Sequence, residues 1–169
     1  MGFQRKVSGT CSIHGGTLVI VPHAIRLQPQ QLLALLAQEQ VTVLSQTPSA
    51  FRGLVLAISE ATTTYLSALS LIAFSGEPVE QHVIDRWFCH FGDQQPTLVN
   101  MYAATETSGE VAFQPLHSRE TSAQEGSPIG CALLDSPLHV LDRTLKQIPL
   151  GEIGELYVGR GSHRPWLLA

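Results

Sequence analysis

Charged side chains are scarce in this sequence, and neither sign dominates. Asp, Glu, Lys and Arg make up 14% of the 169 residues, and the formal net charge is -4. A nucleic-acid-binding protein needs a basic surface, and a disordered chain needs more charge and fewer apolar residues than the 44% present here. The composition therefore excludes both classes and predicts a globular protein with a buried core and no nucleic acid partner.

Long apolar runs are also missing. The run LVIVP at 18–22 is much shorter than the roughly 20 residues of a membrane-spanning helix. Residues 1–13 lack the apolar stretch of a signal peptide. These two absences predict a cytoplasmic protein without a membrane partner.

Patterns typical of metal sites and disulfide frameworks are absent from the sequence as well. Cys11, Cys89 and Cys131 are odd in number and form no CxxC pair. The seven histidines are scattered, without HxxxH or HxH spacing. We therefore expect incidental thiols and ordinary histidines rather than a zinc site.

Strands and helices alternate over roughly the first hundred residues. The stretch TLVIVP at 17–22 has the unbroken β-branched texture of a strand covered on both faces. Further strands are predicted for 41–45, 69–75 and 97–101, and helices for 28–40, 46–61 and 76–92.

The three predicted helices carry recognisable end signals. Pro29 and Pro48 stand near first helical positions, and Thr47 is a suitable N-cap. Gly92 ends the third helix. The apolar residues of that third helix fall on one stripe, namely Val79, Val83, Ile84, Trp87, Phe88 and Phe91.

After residue 102 the pattern changes to short apolar segments separated by Gly, Pro, Ser and Asp, among them EVAFQPL, CALLDS, LHVLD and GELYVG. The whole chain therefore predicts an α/β fold. Its mostly parallel sheet has flanking helices and is followed by a small β-rich subdomain that begins near Ser127.

Two loops are placed to bind a ligand, because ligands of open parallel sheets lie beyond the carboxyl ends of the strands. In the loop SGEP, Gly76 lets a flat group approach the backbone. In the stretch NMYAATE, Tyr102 would stack on a base, Asn100 would bond a base edge, and Glu106 would hold Mg²⁺. Thr105 would reach a phosphate oxygen.

A second interpretation of the same residues is structural. Asn100 and Thr105 are also common turn formers, Tyr102 is then a rim aromatic, and Glu106 is solvated. The spacing alone leaves both interpretations open.

Several stretches, in the order in which they stand here, resemble those of the adenylate-forming (AMP-binding) enzymes, in particular adenylation domains of nonribosomal peptide synthetases. These stretches are HGGTLVIVP, VTVLSQTPSAFRGL, LSLIAFSGEPVE, NMYAATET, SPIGCALLDSPLHVLD and PLGEIGELYVG. The resemblance implies activation of a carboxylic or amino acid by ATP to an acyl-adenylate, followed by transfer to a carrier protein domain.

The resemblance also implies a role for each matching residue. Gly76, Glu77 and Pro78 would line one face of the adenine and Tyr102 the other. Asn100 would meet the adenine amino group. Thr105 and Glu106 would be the catalytic residues, with Thr105 on a phosphate and Glu106 as the Mg²⁺ ligand.

The acid substrate would lie in a pocket formed by residues that match the family by position, namely Ser45, Ile72, Phe74, Met101, Gly109 and Glu110. Glu110 either selects a basic or hydroxylated substrate or faces water from a strand edge, and both remain open. The family usually has glycine at the position of Ala103, where a methyl group would crowd a turn that needs positive φ.

The resemblance gives a predicted division of the chain. It comprises an unmatched N-terminal segment at 1–13, an α/β part at 14–126, the start of a β-rich subdomain at 127–159, and an unmatched tail at 160–169. We expect the chain to be an excerpt of a larger gene product.

We also expect this chain to be inactive alone, because neither of its two lysines, Lys6 and Lys146, matches the family's lid lysine. The alternatives are a non-catalytic module that binds an adenine nucleotide or a protein partner, and a remnant without function.

Overall fold

The computed structural model describes residues 14–58, 66–118, 126–134 and 136–159, together with the backbone of 165–167. The helices in these ranges are α1 (His23–Arg26), α2 (Pro29–Gln38), α3 (Pro48–Ala57) and α4 (Gln81–Phe91). The strands are β1 (Val43–Gln46), β2 (Leu71–Phe74), β3 (Thr97–Ala104), β4 (Gly109–Leu116), β5 (Cys131–Ala132), β6 (Leu138–Leu141), β7 (Glu155–Gly159) and β8 (Pro165–Leu167).

The described strands form two sheets. The first has the order β1-β2-β3-β4-β5, with β1, β2 and β3 parallel and β4 and β5 antiparallel. The second has the order β6-β7-β8 and is antiparallel. The predicted α/β fold with a β-rich second part is confirmed, and the second sheet begins at Leu138 because β5 pairs with the first sheet.

The main core lies between α2, α3 and α4 and one face of the first sheet. The Phe51 ring lies at its centre, 4.8 Å from the Phe74 ring and 5.0 Å from the Trp87 ring between centroids. Leu32, Leu36 and their neighbours bring α2 into the same cluster. Aromatic pairs at these separations are attractive beyond the area that they bury.

The predicted end signals at Thr47, Pro48 and Gly92 are confirmed, but the third helix begins at Gln81 and not at 76. The Thr47 hydroxyl accepts a hydrogen bond from the Ala50 N–H at 3.4 Å, and Pro48 is the first residue of α3. Gly92 follows α4 with a φ of +70°, a conformation that glycine adopts without a steric penalty.

Helices cover one face of the first sheet, so burial alternates along its strands. In β2, Ile72 and Phe74 are fully buried, whereas Leu71 and Ala73 are half-buried. On the second face Val43 is 50% exposed and Phe113 is 36% exposed. Ile72, Phe74 and Leu98, which β2 and β3 contribute to the main core, all lie on the first face.

The prediction of a strand at 17–22 is wrong. Residues 16–22 form no strand, and Ile20 is 80% exposed. A strand requires a neighbour for its backbone hydrogen bonds, and no described strand pairs with this stretch. A β-branched sequence alone does not supply that neighbour, so the expected coverage on both faces is absent too.

A small second cluster joins the two sheets. Val111 and Val158 are buried in it, and Tyr102, Leu138 and Leu156 pack against them. The β-rich part therefore rests on the hairpin of β3 and β4. Within the described ranges, every helix falls short of the length and hydrophobicity that a membrane span needs.

The turn after β6 is held by one carboxylate. Asp142 Oδ1 accepts hydrogen bonds from the Lys146 N–H at 3.0 Å, the Thr144 N–H at 2.7 Å and the Thr144 hydroxyl at 2.7 Å. The Lys146 N–H, followed by the Thr144 hydroxyl, holds the pKa of Asp142 below its usual value. These bonds stabilise the ionised form.

We expect Phe51→Ala to destabilise the fold by about 3 to 5 kcal/mol, because it removes a buried ring and leaves a cavity between Phe74 and Trp87. Urea unfolding followed by tryptophan fluorescence measures the change. Leu56→Ala on the same helix is the control, because Leu56 is 62% exposed. Equal losses for the two variants would contradict the packing described here.

We expect Asp142→Asn to lower the free energy of unfolding at neutral pH. We also expect this free energy to fall less steeply in acid than it does in the unmodified chain. The lowered pKa means that the ionised carboxylate stabilises the fold above the unfolded pKa near 3.8, and that this stability is lost as the pH falls through the folded pKa. Urea unfolding at a series of pH values measures both effects. Glu152→Gln in the next turn is the control. An unchanged pH profile in Asp142→Asn would contradict the assignment.

Candidate functional site

The two predicted ligand-binding loops, around Gly76 and around Tyr102, lie at the same edge of the first sheet, where the parallel strands β2 and β3 end. β2 and β3 are parallel neighbours, and Phe74 at the end of β2 lies opposite Asn100. The Ser127 hydroxyl oxygen accepts a hydrogen bond from the Val79 N–H at 3.0 Å and one from Asn100 Nδ2 at 3.3 Å. The segment after β2 and the polar end of β3 are therefore joined through Ser127.

Gly76 presents open backbone at this edge. Its φ is +94°, and a Cβ added there would meet nothing within 4 Å. Gly76, Glu77 and Pro78 are all exposed, whereas Ser75 before them is buried. A flat ring can therefore approach the backbone of this segment without meeting a side chain of its own turn.

The Glu77 carboxylate points to helix α3. Its two oxygens accept hydrogen bonds from the Ser49 N–H and the Ser49 hydroxyl, each at 3.0 Å. Unpaired N–H groups and the positive end of the helix dipole make this first turn a favourable place for a carboxylate. The contact positions the backbone of 76–78 against α3. Ser49 was missed because 28 residues separate it from Glu77.

Asn100 is 4% exposed, and its amide is held in one orientation. Nδ2 donates to the Pro128 carbonyl at 2.7 Å and to the Ser127 hydroxyl at 3.3 Å. Since both amide protons are directed at 127–128, Oδ1 is the atom that the amide offers to another donor. Ser127 and Pro128 were not assigned to the site from the sequence, although the stretch SPIG carried part of the resemblance.

Tyr102 lies two residues beyond Asn100 and therefore on the same face of β3. The ring is half-buried and packs against the cluster of Val111 and Val158. This contact holds the ring at the side of the site where the two sheets meet.

Thr105 and Glu106 are exposed in the turn between β3 and β4. Thr107, which the sequence analysis did not select, holds this turn: its hydroxyl lies 2.8 Å from the Ala104 carbonyl and 2.7 Å from the Gly109 carbonyl. Ala103 is not among the described residues with positive φ, so its methyl group is accommodated where the family usually has glycine.

The predicted pocket residues are divided between the two faces of the first sheet. Ile72 and Phe74 are fully buried under the helices. Ser45 lies opposite Ala73, between those two positions, and so faces the other side, as does Met101 next to Asn100. Gly109 and Glu110 begin β4, with Glu110 opposite Ala103. The described residues do not bring all six together, and the pocket assignment stays a prediction.

The comparisons with known proteins agree with this fold. The model of the AMP-binding enzyme family matches residues 7–163. The chain therefore belongs to the AMP-binding enzyme family.

Two similar proteins are synthases by name. A dimodular nonribosomal peptide synthase of Bacillus subtilis (strain 168) is 41% identical over 158 residues, which cover 92% of this chain and 7% of that protein. Syringomycin synthase SyrB1 of Pseudomonas syringae pv. syringae is 37% identical over 145 residues, which cover 86% of this chain and 23% of that protein. The chain thus spans less than a quarter of either relative.

Solved structures share the fold. CmiS6 matches with a TM-score of 0.74 at 25% identity, over 85% of this chain and 34% of that one. McyG A-PCP, complexed with phenylalanyl-adenylate, matches with a TM-score of 0.69 at 20% identity, over 83% of this chain and 23% of that one. The observed sheet and helices are thus part of the fold of these proteins.

We expect Glu77→Gln to destabilise the protein by about 0.3 to 1 kcal/mol, because the amide keeps one acceptor for Ser49 but loses the negative charge at the N-terminus of α3. Thermal unfolding measures it. Glu80→Gln is the matched control, because its 3.1 Å pair with Arg52 is exposed and screened by water. A larger loss in Glu80→Gln than in Glu77→Gln would contradict the capping role.

Proposed function

We propose that this chain is the central part of an adenylation domain that activates a carboxylic acid, expected to be an amino acid, with ATP in nonribosomal peptide synthesis. A carboxylate oxygen attacks the α-phosphorus of ATP, an acyl-adenylate forms, and pyrophosphate leaves. The observation that carries the proposal is the junction at Ser127, which brings the segment after β2 to Asn100. The 41% identity to a protein named as a dimodular nonribosomal peptide synthase supports it.

The residues at this edge fit an adenine ring. The open backbone of Gly76 leaves space for a flat group, and Asn100 Oδ1 offers an acceptor that suits the 6-amino group of adenine. Tyr102 supplies an aromatic ring on the same face as Asn100. Glu77 and Pro78 would contribute backbone to the same wall, since the Glu77 carboxylate is engaged at Ser49.

In this proposal, the turn between β3 and β4 binds the phosphates and the metal. Thr105 would donate its hydroxyl to a phosphate oxygen, and Glu106 would hold Mg²⁺. The described residues contain no group of three His, Cys, Asp or Glu side chains that could hold a metal. The ion would therefore share one carboxylate with phosphate oxygens, a donor set that suits Mg²⁺, and it would neutralise phosphate charge.

For the acid substrate and for the group that later accepts the acyl chain, we propose only a chemical class. The proposed pocket residues on β1 and β3 belong to strands that end at this edge of the sheet, and those on β4 stand where that strand begins, with Glu110 as the charged group. They are Ser45, Met101, Gly109 and Glu110. McyG A-PCP is complexed with phenylalanyl-adenylate, which supports an amino acid as substrate and a carrier protein domain as partner. A cytoplasmic location belongs to the same proposal.

Turnover requires groups beyond those of this chain. Adenylate formation places negative charge on the α-phosphate, and preorganised cations are usually needed to stabilise it. Lys146 lies exposed in the turn after β6, and Lys6 lies outside the described residues. We therefore expect nucleotide binding without ATP–pyrophosphate exchange when this chain is assayed alone.

We expect the chain to bind fluorescently labelled ATP and Tyr102→Ala to weaken that binding by about 5-fold to more than 100-fold, because stacking on a base contributes about 1 to 3 kcal/mol. Equilibrium titration by fluorescence anisotropy measures the dissociation constants. Tyr102→Phe is the matched control, since it keeps the ring and loses the hydroxyl.

Two results would overturn the proposal. One is the absence of ATP binding by the unmodified chain, and the other is equal affinity in Tyr102→Ala and Tyr102→Phe with both variants folded. Exchange activity in the isolated chain would contradict the narrower expectation that it is inactive alone.

A further inference from the structure

We propose that Ser127 is a positioning residue that sets the preference for adenine by fixing the Asn100 amide and the segment after β2 together. This inference rests on the proposed function and deepens it. Ser127 is 48 residues from Val79 and 27 residues from Asn100, yet its hydroxyl oxygen contacts both. No residue role assigned from the family resemblance includes it.

The first step of the argument concerns the amide of Asn100. With Nδ2 directed at the Pro128 carbonyl and the Ser127 hydroxyl, each amide proton meets an acceptor. The flipped amide would place Oδ1 against the Pro128 carbonyl oxygen, and two acceptors repel each other. Because Asn100 is only 4% exposed, water cannot replace the hydrogen bond that the flipped amide would lose. The Pro128 carbonyl therefore selects the orientation in which Oδ1 is the acceptor offered to a ligand, and the Ser127 hydroxyl accepts the second hydrogen bond, which holds the amide in place.

The second step concerns base identity. A buried acceptor pairs with the 6-amino group of adenine, and it opposes the 6-oxo group of hypoxanthine or guanine. A site built to hydrogen-bond one group rejects an analogue that lacks it, because the buried partner is left unpaired. The group that fixes the amide thus controls selectivity between purines rather than affinity for nucleotides in general.

The third step concerns the opposite wall of the site. The Val79 N–H, three residues after Gly76, donates to the same hydroxyl oxygen at 3.0 Å. Glu77 between them is held at Ser49. Ser127 therefore sets the separation between the Gly76 backbone and the Asn100 amide, the two surfaces that an adenine ring would meet.

The test titrates the full chain with ATP and with inosine triphosphate, which differs at position 6 of the base. We expect the unmodified chain to prefer ATP, and Ser127→Ala to lower the ratio of the two affinities by about fivefold or more, because the amide loses a hydrogen bond that fixes it. Ser127→Thr keeps the hydroxyl and is expected to retain the ratio.

A matched serine serves as the control. Ser70 also hydrogen-bonds, through its hydroxyl, to the Thr42 carbonyl at 2.9 Å, but it stands just before β2, at the opposite edge of the sheet. Ser70→Ala is expected to leave the ratio unchanged. A merely structural role for Ser127 would lower the affinities for ATP and inosine triphosphate together and leave their ratio as it was.

A measurement on the unmodified chain covers the case in which Ser127→Ala does not fold. The Val79 amide proton is expected to exchange with solvent more slowly than the Glu77 amide proton, because Val79 donates to Ser127. Equal exchange at the two positions would overturn the inference.

The remaining outcomes separate this inference from the proposed function. ATP binding with an unchanged ratio in folded Ser127→Ala would overturn the role of Ser127 and leave the proposed function standing. Failure of the unmodified chain to bind either nucleotide would overturn both.

Discussion

The parallel pairing of β2 with β3 is the constraint on which the rest of this structure depends. It places Phe74 opposite Asn100, so that both strands end at one edge of the sheet. Two residues earlier on the same face, this register brings Ile72 level with Leu98, and the aromatic cluster around Phe51 holds the helices against both strands. The polar groups of the site meet because an apolar core fixes the strands behind them.

Much of the fold could be predicted from local signals. The caps at Thr47 and Gly92 and the apolar stripe of α4 are properties of short stretches, and the structure confirms them. The stretch at 17–22 shows where that reasoning fails. Its β-branched residues favour extended backbone, but a strand also needs a partner, and a partner is not a local property.

The candidate site was predictable in its location and less so in its construction. The position of Asn100 and Gly76 after neighbouring strands follows from the order of the elements and the rule for parallel sheets. The contacts of Glu77 with Ser49 and of Asn100 with Ser127 join residues 27 or 28 positions apart. Such contacts depend on how the chain packs in three dimensions, so the spacing of residues in the sequence does not predict them.

The contacts between α3 and the segment before α4 have a mechanical consequence. Ser49 binds Glu77, and one turn further along α3 Arg52 pairs with Glu80. Because the Ser49 contacts lie in the first turn of α3, a displacement of the backbone around Gly76 would either break these hydrogen bonds or move that turn as well. Phe51 lies between Ser49 and Arg52 along α3, so a movement of this turn would also change the packing of the Phe51 ring against Phe74 and Trp87.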